Sequence, residues 1–170
     1  MDHFAKSSSA KVNLVVCDNP GAGVLERAER FNVDTLLIDR TDLAEPEELI
    51  RVMDDAGIEL IVLAGFLKLI PFKVLNAFPD RVVNIHPSLL PKYGGKGMYG
   101  RNVHQAVLEA KEKESGITIH YVNEHYDDGQ VIFQAQCPVL PDDTPESLAD
   151  RIHRLEHEHY PKQIDMLINE

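Results

Sequence analysis

Val82-Val83-Asn84-Ile85-His86-Pro87-Ser88-Leu89-Leu90-Pro91 is an apolar, β-branched run that delivers an asparagine and a histidine into a Pro- and Gly-rich loop. Side chains alternate faces along a strand, so Asn84 and His86, two apart, project the same way at its end. One can donate to a developing oxyanion while the other donates or carries a proton. The competing reading gives Asn84 to a turn and makes His86 a cap of the strand end. What lies on either side of the stretch decides between them.

Upstream, short β-branched runs alternate with amphipathic segments. Residues 11–17, 35–38 and 60–64 read as strands, and 23–31, 45–56 and 72–78 as helices, with Pro46 in a tolerated first-turn position and Gly57 as a stop. Residues 60–64 lack polar alternation, which predicts burial on both faces. This alternation predicts an α/β chain with right-handed βαβ crossovers and a parallel sheet. Residues 64–71 then leave the third strand where open α/β sheets place ligands, and their apolar side chains could wall a flat ring or simply enter a buried helix.

Downstream, Asn102 with Gln105 three residues later predicts a capping box and a helix running to about Lys113. His104 in its first turn faces either the site or solvent. Residues 116–122 and 130–139 alternate as two strands, and the acid-rich connection between them is short enough to require antiparallel pairing. Thr144-Pro145 opens the last helix, which Pro161 is expected to kink or interrupt after Tyr160. His153 and His157, four apart on it, could grip a metal ion, but no third ligand is suggested, so no metal is expected.

At 170 residues with a net charge of −11, the chain suits one domain, residues 1–170, acting on small molecules rather than on nucleic acid or a membrane surface. Cys17 and Cys137 each lie in an apolar run, which predicts buried free thiols in a reducing compartment. The first residues carry charge without an apolar core, and no stretch reaches the ~18 apolar residues of a membrane span. A soluble, cytoplasmic protein is the expectation. There is no internal repeat, and Ser7-Ser8-Ser9 is the only low-complexity run. Gly94-Gly95-Lys96-Gly97 lacks P-loop spacing and reads as a mobile rim of the site.

The run N-I-H-P-S-L-L-P-K-Y from Asn84 to Tyr93 resembles the folate-dependent formyltransferase family. A second signature of that family, G-x-T-x-H-x-V followed by D-x-G-x-x-I, matches Gly116 to Val122 and Asp127 to Ile132. The resemblance runs from about Asn13 to the C-terminus. It implies a Rossmann-type, mostly parallel sheet flanked by helices with an antiparallel C-terminal strand. The implied activity is formyl transfer from 10-formyltetrahydrofolate, a co-substrate, to the amine of glycinamide ribonucleotide in purine synthesis, by a monomer or homodimer.

By the same resemblance Asn84, His86 and Asp127 would be catalytic. Composition alone would let either Asp127 or Asp128 serve, and the family's motif selects Asp127. Phe66, Leu67, Lys68, Leu69, Ile70, Asn123, Glu124 and Asp127 would hold the folate, and Glu156 the substrate ribose. Lys68 stands where family members often carry Arg, and His120 could orient the acidic loop. The family's first strand and its Gly- and Ser-rich phosphate loop have no counterpart here: residues 11–17 match the second strand and residues 1–10 the tail of the first helix. A gap in the sheet and impaired activity are therefore expected. A formyltetrahydrofolate hydrolase and a weak folate-binding remnant are the alternative readings.

Overall fold

In the computed structural model, which describes residues 1–6 and 10–169, six strands and six helices alternate along the chain. Ser7-Ser8-Ser9 lies outside the described residues. Strand β1 (Leu14–Cys17) is followed by α1 (Gly23–Arg30), β2 (Asp34–Leu37), α2 (Arg40–Ala44), α3 (Glu47–Asp55), β3 (Ile61–Leu63), α4 (Phe72–Ala77) and β4 (Val82–His86). Helix α5 (Arg101–Glu109), strands β5 (Glu114–Tyr121) and β6 (Val131–Pro138), and helix α6 (Pro145–Ile168) complete it. No helix among the described residues is long and apolar enough to cross a membrane.

The α/β alternation is as expected, and β1 pairs β2, and β3 pairs β4, in parallel. β5 is antiparallel to both β4 and β6, so it alone runs against its neighbours in the four-stranded sheet. Strand pairing breaks between β1 and β3, giving sheets ordered β1-β2 and β3-β4-β5-β6. The gap expected in the sheet falls there. One apolar cluster spans the break: Leu14, Val16 and Ile38 on one side and Ile61, Leu63 and Val82 on the other pack with Met53 and Phe78. Polar ties flank it, from Asn13 Nδ2 to the Ala56 carbonyl at 3.1 Å and from Lys68 Nζ to Asp18 at 2.8 Å.

Four expectations are corrected. β3 is not buried on both faces: Val62 is 37% exposed, because β3 is an edge strand whose face away from the cluster is only partly covered. α2 was not anticipated, although Asp39 and Asp42 form a reciprocal capping box that starts it. The capping box assigned to Asn102 and Gln105 is absent. Gly100 is the N-cap of α5, Asn102 already lies inside the helix with its amide on the Gly97 carbonyl, and a left-handed Lys111 follows its end at Glu109. Finally, α6 runs unbroken through Pro161.

Pro161 removes one N–H from that helix, yet its neighbours hold the path. Tyr160 and Ile164 are both buried against Val83 and Ile119, and the Tyr160 hydroxyl donates to the carbonyls of Leu63 (2.8 Å) and Val83 (3.3 Å). Cys17 and Cys137 are buried free thiols, as expected. Replacing Tyr160 with Phe should cost about 1–3 kcal/mol, since it leaves buried carbonyls short of a donor while preserving the packing. Urea unfolding of the two chains measures this, and an unchanged midpoint would show the hydroxyl to be dispensable.

Candidate active site

The site forms where β4 ends beside β5. In this pair Asn84 lies directly opposite His120 and His86 opposite Thr118. Period-two alternation puts these four polar side chains on one face, while Val83, Ile85, Ile117 and Ile119 turn to the other and into the core beneath α6. His86, Thr118 and His120 are all at least 97% buried. Thr118 secures the loop that follows β4. Its hydroxyl donates to the Ser88 carbonyl at 2.7 Å and accepts from the Leu90 N–H at 2.9 Å and from Gln134 Nε2 at 2.8 Å. Ser88 Oγ in turn donates to the Lys92 carbonyl at 2.6 Å.

That loop returns Tyr93 and Gly95 to the site. The Tyr93 carbonyl lies 2.8 Å from His86 Nε2, and the Gly95 N–H donates to Asp127 Oδ2 at 2.8 Å. Asp127 Oδ1 sits 3.4 Å from His86 Nδ1 and 3.7 Å from His120 Nε2. A carbonyl and a carboxylate only accept, so His86 satisfies both of its neighbours as imidazolium. At 3.4 Å the contact with Asp127 is longer than a direct hydrogen bond, which leaves Nδ1–H able to turn to a ligand oxygen. Gly94 makes the close approach possible, since a Cβ there would come within 2.5 Å of Leu90 Cδ2 and 3.2 Å of Asp127 Cβ.

Asp127 occupies the left-handed region at φ 55°, an unusual conformation for a residue other than glycine. Burial by itself pushes its carboxyl up; the groups around it, the His86 ring and the Gly95 N–H among them, outweigh this and hold it well below the usual carboxylate range. Asp128 is exposed, so of the two adjacent acids only Asp127 enters the site.

The other expected residues divide. Phe66 and Ile70 pack against the cluster that spans the sheet break, as does Val122 just before the acidic loop, whereas Leu67 (54%) and Leu69 (44%) stand open to solvent. Residues 64–71 are irregular and lead into α4 at Phe72, but with Leu67 and Leu69 exposed the reading of them as a buried helix entry holds only in part. Lys68 is paired with Asp18. Asn123 Oδ1 accepts from the His125 N–H in a tight turn, and Glu124 is exposed. Glu156 on α6 is half-buried; burial raises its carboxyl, while His153, His157 and His86 act to lower it.

His104 is buried rather than solvated at 3% exposure, with its Nδ1 unpartnered, and burial lowers its pKa, reinforced by His153 and His86. The glycine run is tied down rather than loose, by Gly95 to Asp127 and by Asn102 to the Gly97 carbonyl. Among the described residues no group of three or more His, Cys, Asp or Glu side chains is placed to hold a metal ion. The parts that sequence reasoning missed are mainly backbone groups, Tyr93 C=O and Gly95 N–H, together with Gln134, for which no motif signals a role. Thr118 was visible only as a member of G-x-T-x-H.

The family model described as formyl transferase matches residues 2–164. The chain belongs to the formyl transferase family. This formyltransferase chain is 41% identical over 169 residues to the chloroplastic phosphoribosylglycinamide formyltransferase of Arabidopsis thaliana, covering 96% of this chain and 58% of that protein. It is 43% identical over 169 residues to the trifunctional purine biosynthetic protein adenosine-3 of Drosophila melanogaster, covering 97% of this chain and 12% of that one. The chain thus spans well under two thirds of these two relatives. Among solved structures, phosphoribosylglycinamide formyltransferase from Anaplasma phagocytophilum superimposes with a TM-score of 0.89 at 34% identity, covering 99% of this chain and 78% of that one.

The depressed Asp127 carboxyl has a consequence for stability. Its folded pKa lies below the ~3.9 of an unfolded chain, so the ionised form adds stability above about pH 4 that is lost as pH falls through the folded value. The difference in unfolding free energy between the wild-type chain and Asp127→Asn should narrow as pH is lowered from about 5 to about 2. A constant difference across urea titrations in that range would show that Asp127 is not held by its neighbours.

Proposed function

We propose that this formyltransferase moves a formyl group from 10-formyltetrahydrofolate to the amine of glycinamide ribonucleotide. The observation that carries this reading is the convergence of Asn84, His86 and Asp127 at one strand end, with Asp127 held ionised and His86 flanked by two acceptors. The names of the relatives agree with it, each being a phosphoribosylglycinamide formyltransferase or a purine biosynthetic protein.

In this reading the substrate amine attacks the formyl carbon while the bond from that carbon to the folate nitrogen breaks. Asn84 Nδ2 and His86 Nδ1 donate to the oxygen on which charge develops, which is where preorganised donors act most strongly. Asp127 accepts the proton released by the attacking amine, directly or through water, and its carboxylate faces the His86 ring. His86 gives its proton to the departing nitrogen. Leu67 and Leu69, open at the end of β3, offer an apolar wall to the flat pteridine ring, with the backbone of residues 123–127 as its other side. Glu156 faces the ribose of the acceptor.

Deformylation of 10-formyltetrahydrofolate, followed with and without glycinamide ribonucleotide, tests the assignment. Turnover that depends on the ribonucleotide is the expected result. Release of formate without it would identify a hydrolase, and folate binding without turnover would overturn both enzymatic readings. In the active enzyme Asp127→Asn should lower kcat by about 10²–10⁴ with little change in folate affinity. Asp128→Asn should stay within about twofold of wild type, being exposed to solvent; comparable losses in the two variants would reassign the acid.

A further inference from the structure

His120 has no part in the proton transfers described above, yet it is 2% exposed, lies directly across the sheet from Asn84, and uses both ring nitrogens. Nδ1 is 2.8 Å from the Tyr121 carbonyl, which can only accept, so Nδ1 carries a hydrogen. Nε2 is 3.2 Å from Asn84 Nδ2, which can only donate. Two donors cannot face one another at that distance, so Nε2 is the acceptor and the ring is neutral. The Asp127 carboxylate, at 3.7 Å from Nε2, is outside hydrogen-bond range of it, and its Oδ2 accepts from the Gly95 N–H instead.

A terminal amide can present either its oxygen or its N–H groups to a neighbour by turning through 180°, and the difference decides whether Asn84 meets a developing oxyanion as donor or as acceptor. We propose that His120, neutral and protonated on Nδ1, is a positioning residue whose Nε2 lone pair locks the Asn84 amide so that its second N–H is directed to the reacting oxygen. The role in catalysis rests on the formyl-transfer reading; the lock itself does not.

The test uses the full chain. Nitrogen-15 spectra of the imidazoles at pH 7.5 should show His120 protonated at Nδ1 and bare at Nε2, and the Asn84 side-chain amide should exchange slowly with solvent. His120→Gln, whose carbonyl oxygen can take the place of Nε2 as acceptor, should keep that slow exchange; His120→Phe should lose it. With formyl transfer as readout, His120→Phe should lower kcat by about 10–100-fold, a part of what removing an oxyanion donor costs. His120→Gln should restore most of that loss, and folate-analogue affinity and the melting temperature serve as checks that both variants fold.

In an Asn84→Ala background His120→Phe should cost nothing further, because the group it positions is gone. A His120 that is doubly protonated or protonated at Nε2, equal losses in the Gln and Phe variants, or a loss that multiplies with Asn84→Ala would each overturn the proposal. If the wild-type chain transfers no formyl group, the functional reading fails, while the spectra and amide exchange still decide whether His120 locks Asn84.

Discussion

The antiparallel pairing of β4 with β5 is the constraint on which the site depends. A slip of one residue in that ladder would carry Asn84 and His86 to the face now filled by Val83 and Ile85, and would bury two polar groups under α6. The apolar side chains on the far face therefore set the register, and the chemistry inherits it. Ile117 and Ile119, both fully buried, serve this purpose although neither touches the polar groups. The same pairing places His120 across from Asn84 and Thr118 across from His86, so each residue of the proposed oxyanion site has a dedicated partner on the neighbouring strand.

A second layer of control comes from backbone rather than side chains. Tyr93 and Gly95 belong to a loop whose start is secured by Thr118, Ser88 and Gln134, and whose end is secured by Asn102 on α5. The loop supplies one acceptor and one donor, and these hold His86 and Asp127 from the side away from the sheet. Preorganisation of this kind means that little rearrangement of the polar groups is needed as charge develops.

The alternation of elements, the strand that carries Asn84 and His86, and the antiparallel hairpin of β5 and β6 were all legible in the residues, because hydrophobic period and turn chemistry are local properties. Asp127 was legible only through the spacing of a known motif; composition left it level with Asp128, and what separates them, the Gly95 N–H on Asp127 and its close approach to Gly94, comes from the fold. Local rules misjudged Pro161 and Asn102 for one reason. At Pro161 the tertiary contacts of Tyr160 and Ile164, and at Asn102 the bond its amide donates to the Gly97 carbonyl, outweighed the propensity of the residue itself. Backbone groups such as the Tyr93 carbonyl leave no trace in a side-chain pattern.

The break between β1 and β3 divides the molecule by cooperativity as well as by hydrogen bonding. Every side chain assigned to the chemistry stands on the four-stranded sheet, its loops or α6, while β1, α1 and β2 are joined to that body by one apolar cluster and by the Asn13 and Asp18 contacts. Units joined by few bonds open separately, with their own local free energy. The β1–β2 half is thus expected to open as a foldon of its own, coupled to the rest through Lys68, Asn13 and the shared cluster, and sequence change there can alter how readily segment 65–71, proposed to face the folate, orders without moving a single reacting atom.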